Sequence, residues 1–161
     1  MALDADQFRS ALRCWASGVT VVTSRSGDQI HGMTVSAFSS VSADPPLVLV
    51  CANRSSLTHG IIAGGQVFAV NILASDQQEL SNHFASSKTE SSRFEGVAWH
   101  SGKTGAPVLD HALASLECTL RSAYVEGSHS IFVGQVENVS IRPNAEPLVY
   151  YSGAYRGLHG A

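Results

Sequence analysis

Short β-branched segments separated by turn residues restrict this chain to an architecture with many strands. Residues 19–23 form one such segment, and the turn signal Ser26-Gly27-Asp28 follows it. Helical patterns are few and do not alternate regularly with the strands, and no G-x-G-x-x-G occurs. The doubly wound parallel fold is therefore not expected. We expect a mainly β fold, an antiparallel β-barrel with peripheral helices.

The residue pattern places the individual elements. It predicts helices over residues 4–17, 56–62 and 75–84, with Asp4, Ser56 and Ser75 as candidate N-caps. It predicts strands over residues 19–23, 31–42, 47–51, 67–73 and 147–151, and a hairpin whose strands start near residues 114 and 131. The unbroken apolar run 47–51 suits a strand buried on both faces or at a subunit contact. A bulge is expected near Gly134-Gln135, and residues 86–105 are expected to form a long structured loop.

Composition describes a globular protein and removes several classes of function. The 161 residues, 44% hydrophobic and 14% charged, suit one domain over residues 1–161. A net charge of −3 without a cluster of Lys or Arg argues against nucleic acid as a partner. The start lacks a signal-peptide pattern and no apolar run approaches the ~20 residues that span a bilayer, so we expect a cytoplasmic protein without a membrane segment.

Cysteines and histidines indicate neither a disulfide framework nor a metal site. Cys14, Cys51 and Cys118 are widely separated and odd in number, which suits reduced thiols. The seven histidines form no H-x-H, H-E-x-x-H or close His/Cys pair. We therefore predict no bound metal.

The most informative stretch reads GMTVSAFSSVS at residues 32–42, followed by DPPLVLV at residues 44–50. Composition alone favours a strand whose hydroxyls face solvent over a backbone left open to a flat ligand. The order of residues, however, resembles the short-chain flavin reductases, whose pattern runs close to GMTVSSF followed by DPPLVLV. The resemblance continues through CANRSS (51–56), FAVNIL (68–73), FA (84–85), RFEGV (93–97), GAPVL (105–109), GSHSIFVG (127–134) and PLVY (147–150). It therefore covers nearly the full chain.

This resemblance implies an antiparallel split β-barrel that binds FMN or FAD and works as a homodimer, with each flavin near the subunit boundary. In such proteins the segment matching Thr34, Val35, Ser36 and Ala37 lies along the isoalloxazine ring and offers it backbone and hydroxyl hydrogen bonds. Cys51 is expected close to that segment.

The phosphate end of the flavin is implied in the same way. The segment matching Asn53, Ser55 and Ser56 would contact the ribityl chain and the phosphate at a helix start, where anions are favoured. A second segment would close the phosphate side, and its residues are Phe84, Ala85, Ser86, Lys88 and Arg93. Lys88 or Arg93 would supply the positive charge. For both basic residues a solvated loop charge is an equally open interpretation.

His129 is the single candidate catalytic residue. A lone histidine in a turn usually has no role in a functional site. The flavin reductase pattern at this position, however, is G-D-H, and the matching histidine faces the nicotinamide. This chain carries Ser128 where Asp is typical. The carboxylate that would orient or charge the imidazole is therefore missing, and the resemblance leaves nicotinamide affinity and the choice between NADH and NADPH open.

The implied activity is hydride transfer from NADH, or NADPH, to FMN or FAD, with reduced flavin leaving for a separate monooxygenase component. A flavin carrier or sensor without reductase turnover is the alternative that Ser128 motivates. An oxidase of the pyridoxamine-phosphate type ranks lower, because it shares the fold and not the motifs.

Overall fold

An antiparallel sheet of seven strands organises the chain in the computed structural model, which describes residues 3–158. The strands are β1 (Ser17–Gly18), β2 (Thr20–Ser26), β3 (Gln29–Val35), β4 (Phe38–Ala43), β5 (Pro46–Asn53), β6 (Val67–Ile72), β7 (Trp99–Ser101), β8 (Pro107–Leu109), β9 (Ala114–Glu126), β10 (His129–Ile141), β11 (Val149–Tyr151) and β12 (Ala154–Arg156). The helices are α1 (Ala5–Leu12), α2 (Leu57–Gly65) and α3 (Gln78–Ala85), and a 3-10 helix spans Ser87–Ser92.

Strand order confirms the predicted fold class. The large sheet runs β3-β2-β6-β9-β10-β5-β4, β7 pairs with β8, and β1, β11 and β12 form a third sheet. Every pairing among these strands is antiparallel.

Ser36 and Ala37 connect the two edges of the large sheet. β3 is one edge and β4 the other, yet β3 ends at Val35 and β4 begins at Phe38. Three peptide steps span at most about 11 Å, so the two edges converge at this point and the sheet curls on itself. β3 pairs with β2 and β4 pairs with β5, so the edges meet at one end without forming a ladder, as in a split barrel.

Apolar side chains fill the inside of the curled sheet. Its central cluster includes Val22, Val50, Phe68, Val70 and Phe132, each at most 1% exposed. Met33 and Phe38 pack against this cluster from the two opposite edges. Burial of these side chains therefore holds the curled shape and fixes where the β3–β4 break lies.

The long hairpin β9–β10 carries the predicted bulge. Its register shifts between Val133 and Gly134, where Arg121 on β9 is the extra residue, which confirms the irregularity expected near Gly134-Gln135. A Cβ at Gly134 would lie 2.4 Å from the Phe68 ring, so only glycine lets the strand pass this close to the core.

Three predicted elements are wrong in their extent. Residues 31–42 are not one strand, because the chain changes partner strand at the Ser36-Ala37 break. Helix α3 begins at Gln78 and not at Ser75, because the Gln77 side-chain oxygen accepts from the amide of Ala74 at 3.0 Å and holds that segment as a turn. Residues 86–105 are not a loop throughout, since they contain the 3-10 helix and β7.

The first helix also differs from its prediction. It ends at Leu12, so Trp15 lies beyond it, and the apolar side chains of Phe8, Leu12 and Trp15 are 52%, 56% and 75% exposed. Strand β5 buries only one face, because Val48, Val50 and Ala52 point inward while Leu47, Leu49 and Cys51 stay partly exposed, so of the two alternatives given for this run only the subunit contact stays a prediction. No helix within residues 3–158 combines the length and the apolar surface needed to traverse a bilayer.

Candidate functional site

Small side chains surround the β3–β4 break and leave its backbone open. Ser36 and Ala37 are exposed, and the Ser36 hydroxyl forms no hydrogen bond with any residue between 3 and 158. The backbone here is held by bonds from Phe38 N to Ser36 O, 3.0 Å, and from Cys51 N to Ala37 O, 3.1 Å. The break is therefore fixed in place while its outer side stays accessible.

Two neighbouring cavities open at this break. The first, about 440 Å³, is lined by Val19, Thr34, Ser36, Ser81, Asn82, Ala85, Tyr150, Gly153, Ala154 and Tyr155. The second, about 560 Å³, includes Trp15, Ser36, Ala37, Phe38, Leu49 and Cys51 in its lining. Ser36, Tyr150 and Gly153 line both, so the cavities adjoin. We call Thr34, Ser36, Ala37 and Cys51 the shelf.

Strand register places His129 on the same side of the sheet as Cys51. Opposed residues of an antiparallel pair point to one face, and here His129 opposes Asn53 while Ile131 opposes Cys51. Ser130 and Ala52, the next pair, are buried inside. His129, Asn53 and Cys51 therefore share the outer face, with Cys51 and Asn53 about 7 Å apart along the strand.

His129 itself is exposed, and its nearest polar partner is its neighbour. The Ser128 hydroxyl lies 2.9 Å from Nδ1 of His129, and the Ser128 carbonyl accepts from the amide of Arg54 at 3.0 Å. The imidazole is thus oriented by an uncharged group.

The turn after β5 is built by its own side chains. Asn53 Oδ1 accepts from the amide and hydroxyl of Ser55 at 2.9 and 2.8 Å. The Ser56 hydroxyl donates to the Asn53 carbonyl and accepts from the amide of His59 at 3.2 Å, which caps α2 as predicted. Ser55 stays exposed at the rim of a hollow of about 600 Å³.

That hollow brings the two predicted phosphate segments together. Ser55 and Leu57 line one side, and Ser87, Glu90 and Ser91 of the 3-10 helix line the other. Lys88 is exposed on the same short helix, whose N-cap is Ser86. Because Glu90 also faces the hollow, a bound phosphate would need the Lys88 charge to offset it.

Buried His31 holds the 3-10 helix in place. Its Nε2 lies 3.0 Å from the Glu90 carbonyl and its Nδ1 2.8 Å from the Thr58 hydroxyl. A carbonyl only accepts, so Nε2 carries the proton and Nδ1 accepts from Thr58. Burial, with the nearby Arg93 charge, lowers the pKa of His31 and favours this neutral form.

Three of the predicted residues point away from the open surface. Val35 is 7% exposed and Phe84 is fully buried, so their side chains belong to the core. Arg93 is 7% exposed, and its Nη1 donates to the carbonyl of His83 at 2.5 Å. Its guanidinium therefore holds the segment in place, and of the two predicted basic residues Lys88 is the accessible one.

Sequence reasoning missed the residues that form the far wall of the first cavity. Ser81 and Asn82 lie on α3, and Tyr150 and Tyr155 lie on the C-terminal strands β11 and β12. Of these two strands, β11 was predicted and β12 was not. The signal for β12 was the Ser152-Gly153 turn between two tyrosine-bearing segments.

The residues present suit a flat, polar-edged ring with an anionic tail. The volumes of the two adjoining cavities fall within the about 300–1,000 Å³ typical of cofactor pockets. Backbone, hydroxyls and one half-buried thiol line the ring end, and burial raises the pKa of that thiol, Cys51, which keeps it neutral. The hollow at Ser55 supplies hydroxyls for an anion.

A split antiparallel barrel with such a shelf defines a class of proteins that hold a planar ligand at an accessible surface. Comparison with known proteins identifies the family: the model of the flavin reductase like domain matches residues 12–159. The chain belongs to this family.

Individual members of the family align with this chain over almost its whole length. The chain is 40% identical to an NADH-dependent flavin reductase of Rhodococcus sp., covering 94% of this chain and 85% of the relative. It is 38% identical to the reductase component of 4-hydroxyphenylacetate 3-monooxygenase of Thermus thermophilus, covering 95% and 96%. The solved NADH:FAD oxidoreductase SgcE6 of Streptomyces globisporus C-1027, in complex with NAD and FAD fragments, superposes with a TM-score of 0.90 at 34% identity, covering 99% and 97%.

Proposed function

We propose that this protein is an NADH-dependent flavin reductase, one domain over residues 1–161, that reduces FMN or FAD and supplies the reduced flavin to a separate monooxygenase component. The observation that carries the proposal is the shelf: a fixed strand break with small side chains and an exposed Ser36 hydroxyl, facing the same side as His129. Family membership and relatives with this activity support it.

A flavin held at the shelf would supply the redox chemistry, as the acceptor of the hydride that NADH gives up. The protein's own part is to bind and orient. Thr34, Ser36 and Ala37 offer hydroxyl and backbone groups to the ring, and His129 stands at the outer end of the same face to contact the nicotinamide. Ser128 holds the imidazole without adding charge.

An open site suits a flavin that arrives and departs as a substrate. Ser36, Ala37, Ala85 and His129 are all exposed, so the shelf is open among the residues from 3 to 158. At the phosphate end, Ser55, Ser56, Ser86 and Lys88 supply hydroxyls and one positive charge. Release can then proceed without a large conformational change.

We propose that a second copy of the chain covers the exposed apolar side chains of α1 and of the turn that follows it. Phe8, Leu12 and Trp15 are more than half exposed, and Leu12 and Trp15 also line the second cavity. A homodimer would bury them and place the shelf near the subunit boundary. Light scattering coupled to size-exclusion chromatography gives the oligomeric state directly, and a monomeric mass would overturn the proposed homodimer.

A cytoplasmic location is proposed as well, since it fits a protein that draws on NADH.

Steady-state oxidation of NADH tests the activity. Purified protein with FMN or FAD should oxidise NADH at a rate that depends on the flavin concentration, and a parallel series with NADPH ranks the two nicotinamides. A rate no higher than that of flavin in buffer would overturn the proposal.

The uncharged Ser128 partner keeps a flavin carrier as the second candidate. A carrier would retain flavin through gel filtration and oxidise NADH negligibly. The same NADH assay therefore separates the two functions.

A further inference from the structure

The hydroxyl of Tyr155 joins the C-terminal strands to α3. It donates to Oδ1 of Asn82 at 2.9 Å and lies 2.8 Å from the hydroxyl of Ser81. A phenol has one proton, and that proton goes to Asn82, so Ser81 must be the donor in the second bond. Ser81 is fully buried, which makes the Tyr155 oxygen the acceptor for a hydroxyl that water cannot reach.

From α3 the connection continues to the shelf. The hydroxyl of Thr34 donates to the backbone carbonyl of Ser81 at 2.6 Å. Because the hydroxyl proton of Thr34 is used in this bond, the Thr34 oxygen can only accept a hydrogen bond from a ligand in the cavity. Tyr155, Ser81 and Thr34 all line that same cavity, and together they link β12, α3 and β3.

The ring of Tyr155 is positioned independently of its hydroxyl. It packs edge-on against Tyr150, with ring centroids 5.3 Å apart and planes at 69°. Removal of the hydroxyl alone therefore leaves this packing in place.

From these contacts we propose that Tyr155 is a positioning residue for flavin binding: its hydroxyl fixes Ser81, and Ser81 fixes the direction in which Thr34 offers its oxygen to the ring. The inference rests on the proposed function, and it assigns a role in binding to a residue from the last part of the chain. Tyr155 acts through Thr34 and not by transferring a proton or hydride.

Flavin titration of Tyr155→Phe tests the proposal, with quenching of flavin fluorescence as the readout. The dissociation constant for FMN should rise about 3- to 10-fold, the effect of losing one or two net hydrogen bonds. Tyr151→Phe is the matched control, because Tyr151 lies on the adjacent strand and its hydroxyl bonds to no residue between 3 and 158. An unchanged constant in Tyr155→Phe would overturn the proposal.

Coupling to Thr34 separates positioning from general stability. In a Thr34→Val background, Tyr155→Phe should produce no further loss of flavin affinity, whereas thermal melting should still report a loss of stability. Multiplying effects on the dissociation constant would overturn the proposal. Ser81→Ala removes the same bond from the other side and should reproduce the result if Tyr155→Phe folds poorly. Wild-type protein that binds no flavin would instead reject the proposed function.

Discussion

Two polar regions of the same sheet use similar side chains for opposite purposes. Around Asn71, which is fully buried, every amide atom is engaged: Nδ2 donates to the Val21 carbonyl at 3.0 Å and to the Thr23 hydroxyl at 3.1 Å. Its Oδ1 accepts from the Leu109 amide at 3.0 Å and the Ser115 hydroxyl at 2.9 Å. At the shelf, the Ser36 hydroxyl is exposed and bonds to no residue in the range 3–158.

The two regions contain similar polar groups and differ in whether those groups are hydrogen-bonded within the described part of the protein. Paired groups stabilise the fold, whereas unpaired ones can bind a ligand. The Asn71 network fastens β2, β6, β8 and β9 together in the interior. Buried polar groups stabilise only when all are paired, whereas unpaired groups at an open surface remain available to a ligand. The comparison predicts that stability and flavin affinity respond to different substitutions.

The largest expected effect is on stability at Asn71. Asn71→Leu leaves the Leu109 amide and the Ser115 hydroxyl without their acceptor in a dry interior, so the free energy of unfolding should fall by about 3–5 kcal/mol. Urea denaturation followed by circular dichroism measures it. Ser36→Ala is the counterpart at the shelf and should change stability by less than about 0.5 kcal/mol. Equal losses in both variants would remove the distinction.

Flavin affinity should show the reverse pattern. Ser36→Phe places a ring on the open shelf, and the dissociation constant for FMN should rise at least about 10-fold through steric exclusion, which corresponds to about 1.4 kcal/mol. Fluorescence titration gives the value. Ser140→Phe, an exposed serine near the opposite end of β10 from His129, is the control and should bind FMN as the wild type does.

Substitution of His129 separates the rate of flavin reduction from flavin affinity on the outer face of the sheet. His129→Ala should slow the reduction of bound flavin by NADH about 10-fold, a step that anaerobic stopped-flow absorbance follows, while flavin affinity changes less than about 2-fold. If flavin affinity collapses instead, His129 has a structural role like that of Asn71. Ser128→Ala tests the orienting hydroxyl and should give a smaller slowing than His129→Ala.

The smallest effect is a pH dependence of stability in the buried region. Burial lowers the pKa of His31, and of His59, from 6.5 in the folded protein, so the unfolded chain binds more protons once the pH falls below about 6.5. The free energy of unfolding should therefore decrease as the pH falls from 6.5 towards the folded-state pKa values. Denaturant titrations at several pH values measure the slope. His31→Gln should reduce that slope, and an unchanged slope would show that His31 does not titrate between the two states.

Periodicity and turn residues allowed most strands to be predicted, but not where a strand changes its partner. Residues 31–42 have the β-branched and hydroxyl composition of one strand, and the break at Ser36-Ala37 arises only because the sheet curls so that its two edges meet. The short strands β1, β7, β8 and β12 were missed because two or three residues carry no detectable alternation. The sequence shows that Phe8, Leu12 and Trp15 are apolar, but their exposure depends on what else the chain can place over them.

The candidate site divides in a similar way. Thr34, Ser36, Ala37 and Cys51 were expected together, and they line the two adjoining cavities because β4 and β5 return beside the break. Ser81 and Tyr155, 74 positions apart in sequence, meet only in the folded molecule, so no local pattern joins them. Arg93 illustrates the opposite error, because a basic residue in a polar segment does not reveal that its side chain turns inward to the His83 carbonyl.

A crystal structure of the protein soaked with FMN tests the central claim most directly. The account predicts electron density for the isoalloxazine ring against the backbone of Ser36 and Ala37, with the phosphate at the hollow bordered by Ser55 and the 3-10 helix. Ring density at any other surface, with the shelf vacant at saturating FMN, would contradict it.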